Sequence, residues 1–427
     1  MDRFRAGVLA TGLLLLMLAG SVQAVVVDRL YDAVVPVEDT GAATRDDAFR
    51  EALRQVLVRL TGDPGRVRGL VSAASGNETG ERSEGTLVDE PARFIDAFSY
   101  QRNGDQLELR ASVSASALGR ALAERDVPVW GAMRPRILVW FVVDDRGKRQ
   151  LVTRDNQLPP FLERPMQPLN GEAIAAESGP WKEPLWEVSR RRGLPLALPF
   201  KDSRDRGEVR LSELWGLFVE PIHRASQRYA HDLVAVVRVD RSGGGWRARW
   251  QLWRGSKRMA DGVVRKNNRP VVVRAVADAW ADRLAQRYAV GPPTEDGLRS
   301  ARMLVDGVGS LESYAGVRQS LRALEPVRSV RVGAVHQDRL SLDMAFNGDL
   351  RLLHDYIGLE DQLVLMGGPP DGAITAPGDK APDSLRLYYR WTGDPGRRAM
   401  LPGNGEAQAI IPSDSGDGGG GSGALRQ

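Results

Sequence analysis

The sequence predicts an α+β / α/β multidomain protein made of small two-layer domains, and three observations carry that reading. Strand-like and helix-like periodicities alternate along most of the 427 residues instead of separating into blocks. With 42% apolar residues the chain can bury several cores, and chains of this length divide into domains of roughly 100–200 residues. After Gly367 the composition shifts to Pro, Gly, Asp and Ser, which give a core little to bury.

Residues 1–24 come first. Arg3 and Arg5 give a basic start, Ala6–Gly20 is an apolar run, and Ser21-Val22-Gln23-Ala24 places small or aliphatic residues before a cleavage site after Ala24. That is the pattern of a secretory signal peptide. The run is shorter than the about 20 residues that span a bilayer. Cleavage is therefore expected, leaving a chain that starts at Val25, has no transmembrane segment and works in the periplasm. Cysteine is absent, which excludes a cysteine-linked lipid anchor, disulfides, thiolate catalysis and thiolate metal sites. The formal charge is +4, and removing Arg3, Arg5 and Asp2 leaves +3. No basic stripe accompanies it, so nucleic acid is not an expected partner.

The N-terminal α+β domain is expected over 25–130. Val25–Val37 opens as a strand. A helix follows, since Phe49, Ala52, Leu53, Val56, Leu57 and Leu60 recur at helical spacing. Thr44 with Asp47 is its expected cap, and Gly62 followed by Pro64 stops it. Residues 65–90 read as a loop. Phe94–Tyr100 and Leu107–Val113 form a hairpin about Asn103-Gly104, and Leu118–Arg125 is a short helix.

The middle α/β domain, 134–292, begins with the apolar run Ile137–Val143, which suits a strand covered on both faces. A polar stretch, Asp144–Pro180, is too long for an ordinary connection. A helix over Trp186–Arg192, a strand over Leu194–Pro199 and helices near 211–219 and 221–230 lead to a second buried strand, Leu233–Val239. Beyond the Gly243-Gly244-Gly245 turn, Trp246, Ala248, Trp250 and Leu252 alternate with Arg247, Arg249, Gln251 and Trp253. Met259–Val264 adds another strand. Asn268 and Pro270 start a helix carrying Val273, Val276, Trp280, Leu284 and Tyr288 on one face.

Over 300–366 the order is strand Met303–Val308, a helix with Tyr314, Val317, Leu321 and Leu324, strands Val327–Val335 and Leu340–Phe346, a short helix, and strand Gln362–Met366. This β-α-β-β-α-β order is that of a ferredoxin-like fold. The remainder, 367–427, reads as a disordered, low-complexity C-terminal tail, in which Leu385–Trp391 is either one more strand or a sticky segment.

Candidate chemistry is sparse. His223 and His231 lie eight apart with no third ligand in sight, and zinc needs three or four. His336 and His354 stand alone. Asp144 and Asp145 end a buried strand, where ligands gather in α/β enzymes, but Asp-Asp-Arg-Gly-Lys is explained as a turn. Arg190-Arg191-Arg192 suits a solvated helix end. No cofactor loop, nucleophile elbow or HExxH is present, so no cofactor is expected. The candidate recognition surface is Arg247, Arg249 and Trp253, on the polar face of one strand.

Several stretches resemble exported bacterial proteins of the domain of unknown function 2066 family: Tyr31–Val37, Arg50–Gly62, Pro135–Trp140 and Ala225–Tyr229. The resemblance implies no activity and no catalytic residue. In order of elements the middle region also looks like the small α/β domains of TolB-type envelope proteins. The expected function is a periplasmic, non-enzymatic interaction or assembly module whose partners are envelope proteins. The alternatives are a peptidoglycan or glycan binder using exposed Trp and Arg, and an enzyme with a site of scattered carboxylates.

Overall fold

A computed structural model describes residues 27, 29–71, 86–154, 179–200, 202–292, 297–368 and 385–393. The expected signal segment lies outside them. Among the described residues no helix is long and apolar enough to cross a membrane. The fold is mixed α+β, with sheets of three, six and five strands.

The first sheet holds β1 (Asp32–Val37), β2 (Ile95–Asn103) and β3 (Gln106–Val113) in the order β1-β3-β2, all antiparallel. Helix α1 (Ala42–Thr61) lays Phe49, Ala52, Leu53, Val56, Leu57 and Leu60 against Ala33, Val35, Leu109 and Ala111. It starts earlier than expected, and Thr44 is not its cap: Gly41 is. The Asp39 carboxylate accepts the Gly41 N–H at 2.7 Å, which turns the chain into the helix three residues sooner. Gly62 ends α1 at φ 64°, and a β-carbon there would meet that of Ala285 at 2.0 Å. Only glycine lets the two helices approach this closely. Helices α2 (Pro64–Val71) and α3 (Ala115–Ala123) complete the unit.

The six-stranded sheet runs β5-β4-β7-β8-β9, with β6 also on β4. Its strands are β4 (Ile137–Asp145), β5 (Lys148–Val152), β6 (Leu196–Ala197), β7 (Leu233–Ser242), β8 (Gly245–Arg254) and β9 (Lys257–Lys266). All of Ile137–Val143 is buried, because β4 is paired along both edges and covered on both faces. Helices α4 (Lys182–Arg192) and α8 (Arg269–Tyr288) cover the face of Ile137, Val139 and Phe141. Helices α5 (Ser203–Glu208), α6 (Leu211–Gly216) and α7 (Val219–Ser226) cover Leu138, Trp140 and Val142. Strand β5 was not foreseen. It begins at a two-residue turn in which Arg146 and Gly147 both have positive φ, 58° and 84°, the turn that suits the twist of a hairpin.

The five-stranded sheet contains β10 (Leu298–Asp306), β11 (Val327–His336), β12 (Arg339–Asn347), β13 (Leu363–Leu365) and β14 (Leu385–Trp391), in the order β11-β12-β10-β14-β13. Helices α9 (Leu311–Ala323) and α10 (Leu350–Ile357) lie between the strands in sequence. The expected order of elements is present. A four-stranded ferredoxin-like sheet would nevertheless put its last strand directly beside β10. Here β14 takes that place, parallel to β10, and separates it from β13. The residues of β14 come from the stretch expected to be tail, and Leu387, Tyr389 and Trp391 are buried in the core. That core continues without a break from the six-stranded sheet to the five-stranded one.

Candidate functional site

Arg247, Arg249 and Trp253 all sit on β8 and face the side of the six-stranded sheet that α5–α7 partly cover. The strand register sets what surrounds them. Arg249 is directly opposite Arg238 of β7 and Val263 of β9, and Arg247 is opposite Asp240 and Arg265. Burial falls from β4 and β7, which lie under the helices, to β8 and β9, where Arg249, Val263 and Arg265 are exposed. The result is a step: a ledge of helix with an open strip of strand beside it.

Arg238 lies at the foot of the step. It donates to the Trp215 carbonyl at 2.8 Å. Its guanidinium is 5.7 Å from the Trp215 ring centroid, and that of Arg149 is 4.5 Å from the same ring. Burial holds the Arg238 pKa below its ordinary value, with Arg249 and then Arg247 pushing the same way. Asp240 pairs with Arg247 at 2.7 Å, and Asp144 with Arg149 at 2.9 Å. Arg249 and Arg265 have no hydrogen bond or ion pair with a described residue. Trp253 differs from expectation. It is half-buried, edge-on to His223 with centroids 6.0 Å apart, and packed at the border of the helix-covered core. An indole held this way offers little of its face to a ligand.

A second arginine cluster is buried where the three sheets meet. Arg134 is 1% exposed. It donates to the carbonyls of Gly131, Arg192, Gly193, Arg59 and Trp130 at 2.7–3.1 Å and lies 4.0 Å over the Trp130 ring. It thus closes the carboxyl ends of α1 and α4 together, where helix dipoles supply negative potential. Glu325 accepts from the Gly131 and Met133 N–H groups and from the Tyr356 hydroxyl. Arg136 grips Asp232 and also reaches Asp361, beyond α10. Arg254 and Arg287 converge on Asp355 of α10.

Arg192 corrects the expectation of a solvated basic helix end. It is 2% exposed and binds Asp278, Asp282 and the Gly62 carbonyl. The reason is α8, which presents Asp278 and Asp282 one turn apart beside the end of α4.

Several of the scattered carboxylates are drawn into ion pairs of this kind. Asp145 holds both Arg241 and Arg269, and Gly147 N–H donates to Asp144, as the turn reading of that stretch requires. His223, His231 and His354 are all held below the ordinary imidazole pKa by burial first. Among the described residues no group of three metal-ligating side chains occurs. A cavity of about 390 Å³ near Glu90, Arg93, Glu124 and Arg125, and one of about 460 Å³ along β11 near Arg322, Arg328 and Arg331, are polar surface hollows.

Arg238, Trp215, Arg149 and Arg265 were not foreseen as neighbours of Arg247 and Arg249. Register alone reveals them, because no local spacing links five separate elements.

One family is matched. The model described as Domain of unknown function (DUF8605) covers residues 24–131, which hold the three-stranded sheet and its helices. It extends over about a quarter of the chain, and the family number 2066 is not the one found. No curated protein and no solved structure matches the chain.

Proposed function

We propose that this chain is a periplasmic protein-interaction or assembly module rather than an enzyme. The observation that carries the reading is the way its charges are divided. Buried arginines lock the three sheets to one another, and Asp145, Asp232, Asp278 and Asp355 are engaged in ion pairs with arginines. A different set of arginines is left on an open strip of sheet, where it can meet a partner. The export signal in residues 1–24 supports the compartment. The likeness of the middle region to TolB-type domains, and of 300–366 to a ferredoxin-like unit with one added strand, supports a modular envelope protein. These are analogies of architecture, and architecture does not fix function.

The test is crosslinking in cells followed by mass spectrometry. A consistent envelope protein recovered with the chain is the expected result. Recovery of none, together with turnover of a candidate substrate by the purified protein, would replace this reading with an enzymatic one.

A further inference from the structure

We propose that the basic step on the six-stranded sheet is a docking site for an extended acidic segment of a partner protein, laid along β8 beside the α6 ledge. The inference rests on the interaction reading above and gives that partner a chemistry.

Two cross-strand pairs on this face are Arg–Arg: Arg238 with Arg249, and Arg247 with Arg265. Like charges directly opposite each other weaken a sheet. Asp240 offsets the charge of Arg247, and the Trp215 carbonyl and ring that of Arg238, but Arg249 and Arg265 have no such partner among the described residues. The nearby carboxylates Asp144, Asp240 and Asp261 are already held by Arg149, Arg247 and Arg258. Three cations on this face are thus matched by carboxylates, while Arg249 and Arg265 face none among the described residues, and that excess suits negative charge from outside.

Shape narrows the source. Arg247 and Arg249 point to the same face two residues apart, about 7 Å along the strand. An extended chain with a carboxylate at every second residue repeats at the same distance. Arg238 lies in the inner corner of the step, under Trp215. A flat lipid surface does not enter such a corner, whereas a single extended chain does. An exposed apolar residue lies in the strip, Val263 of β9, opposite Arg249 and 49% exposed. It suits a segment whose acidic residues alternate with apolar ones.

The test uses the mature chain and a fluorescein-labelled twelve-residue Glu-Val repeat peptide, followed by anisotropy. A Lys-Val repeat, phosphatidylglycerol vesicles and purified peptidoglycan serve as the other arms. The acidic peptide should bind, the basic one should not, and affinity should fall as salt rises. Arg249→Glu with Arg265→Glu should weaken binding about tenfold or more, and Arg249→Lys much less. Melting followed by circular dichroism shows that both variants are folded. Failure of the acidic peptide to bind, unchanged affinity in the double variant, or retention only on vesicles or peptidoglycan would overturn the proposal. If the peptide fails while crosslinking in cells still recovers an envelope partner, the docking site is wrong and the interaction reading stands. If crosslinking also recovers none, the broader reading falls with it.

Discussion

Arg134 is 1% exposed and donates five hydrogen bonds to backbone carbonyls, whereas Arg249 is exposed and has no partner among the described residues. Both belong to the same chain and the same residue type, yet their surroundings are opposite. Around Arg134, the ends of two helices and the Trp130 ring replace water, and Glu325 supplies the nearest formal negative charge. Burial pushes the Arg134 pKa down to about 9, which still leaves it charged near neutral pH. Around Arg249 the cross-strand neighbours are Arg238 and Val263, and neither brings a negative charge. The contrast teaches that burying a guanidinium commits its charge to the fold, and leaving one beside its like commits nothing and keeps it available.

The largest test of that contrast is Arg134→Met. It strands the carbonyls at the ends of α1 and α4, and we expect a loss of about 3–5 kcal/mol, seen as a lower midpoint in urea unfolding. Asp232→Asn comes next. It removes the bidentate partner of buried Arg136 but leaves Asp361 nearby, so a loss of about 3 kcal/mol is expected by the same assay. Gly62→Ala combines a left-handed backbone with a β-carbon contact to Ala285. It should cost about 2 kcal/mol, and pairing it with Ala285→Gly should recover part of the loss.

The half-buried histidines add a pH test. The folded pKa values of His223, His231 and His354 are lowered, so the unfolded chain binds more protons as pH falls. Their contribution is fully present above the unfolded value, about 6.5, and is lost as pH drops below it towards the folded values, by at most ~1.4 kcal/mol per pH unit for each group. Chemical denaturation at pH 7.5 and pH 6 should show the decline. Burial raises the Glu360 carboxyl pKa, which acts in the opposite sense at lower pH. The smallest effect belongs to Arg249→Glu. It should leave stability within about 0.5 kcal/mol of the original, or raise it slightly by removing the repulsion from Arg238.

Much of the fold was legible because period and burial agree. Phe49 to Leu60 on α1 and Val273 to Tyr288 on α8 recur at helical spacing, and their buried faces are the ones the spacing marks. The run Ile137–Val143 announced a strand covered on both sides. What escaped depends on partners distant in sequence. Leu385–Trp391 is short and lies among Pro- and Gly-rich residues, so only its pairing with β10 and β13 makes it part of a sheet. Arg192 reads locally as one of three surface cations, and its burial is decided by Asp278 and Asp282 some ninety residues on. The candidate site was half legible. Alternation put Arg247 and Arg249 on the polar face, but Arg238 and Arg265 join them only through register, and Trp253 is drawn in by α7.

Arg249 of β8 and Arg265 of β9 are exposed and pair with no described residue, so the fold does not use them. The urea midpoint of the Arg249→Glu, Arg265→Glu double variant tests it most directly. A midpoint equal to or above that of the unmodified chain is expected. A midpoint lowered to the extent expected for Asp232→Asn would show that these cations hold the sheet together and are not held in reserve for a partner.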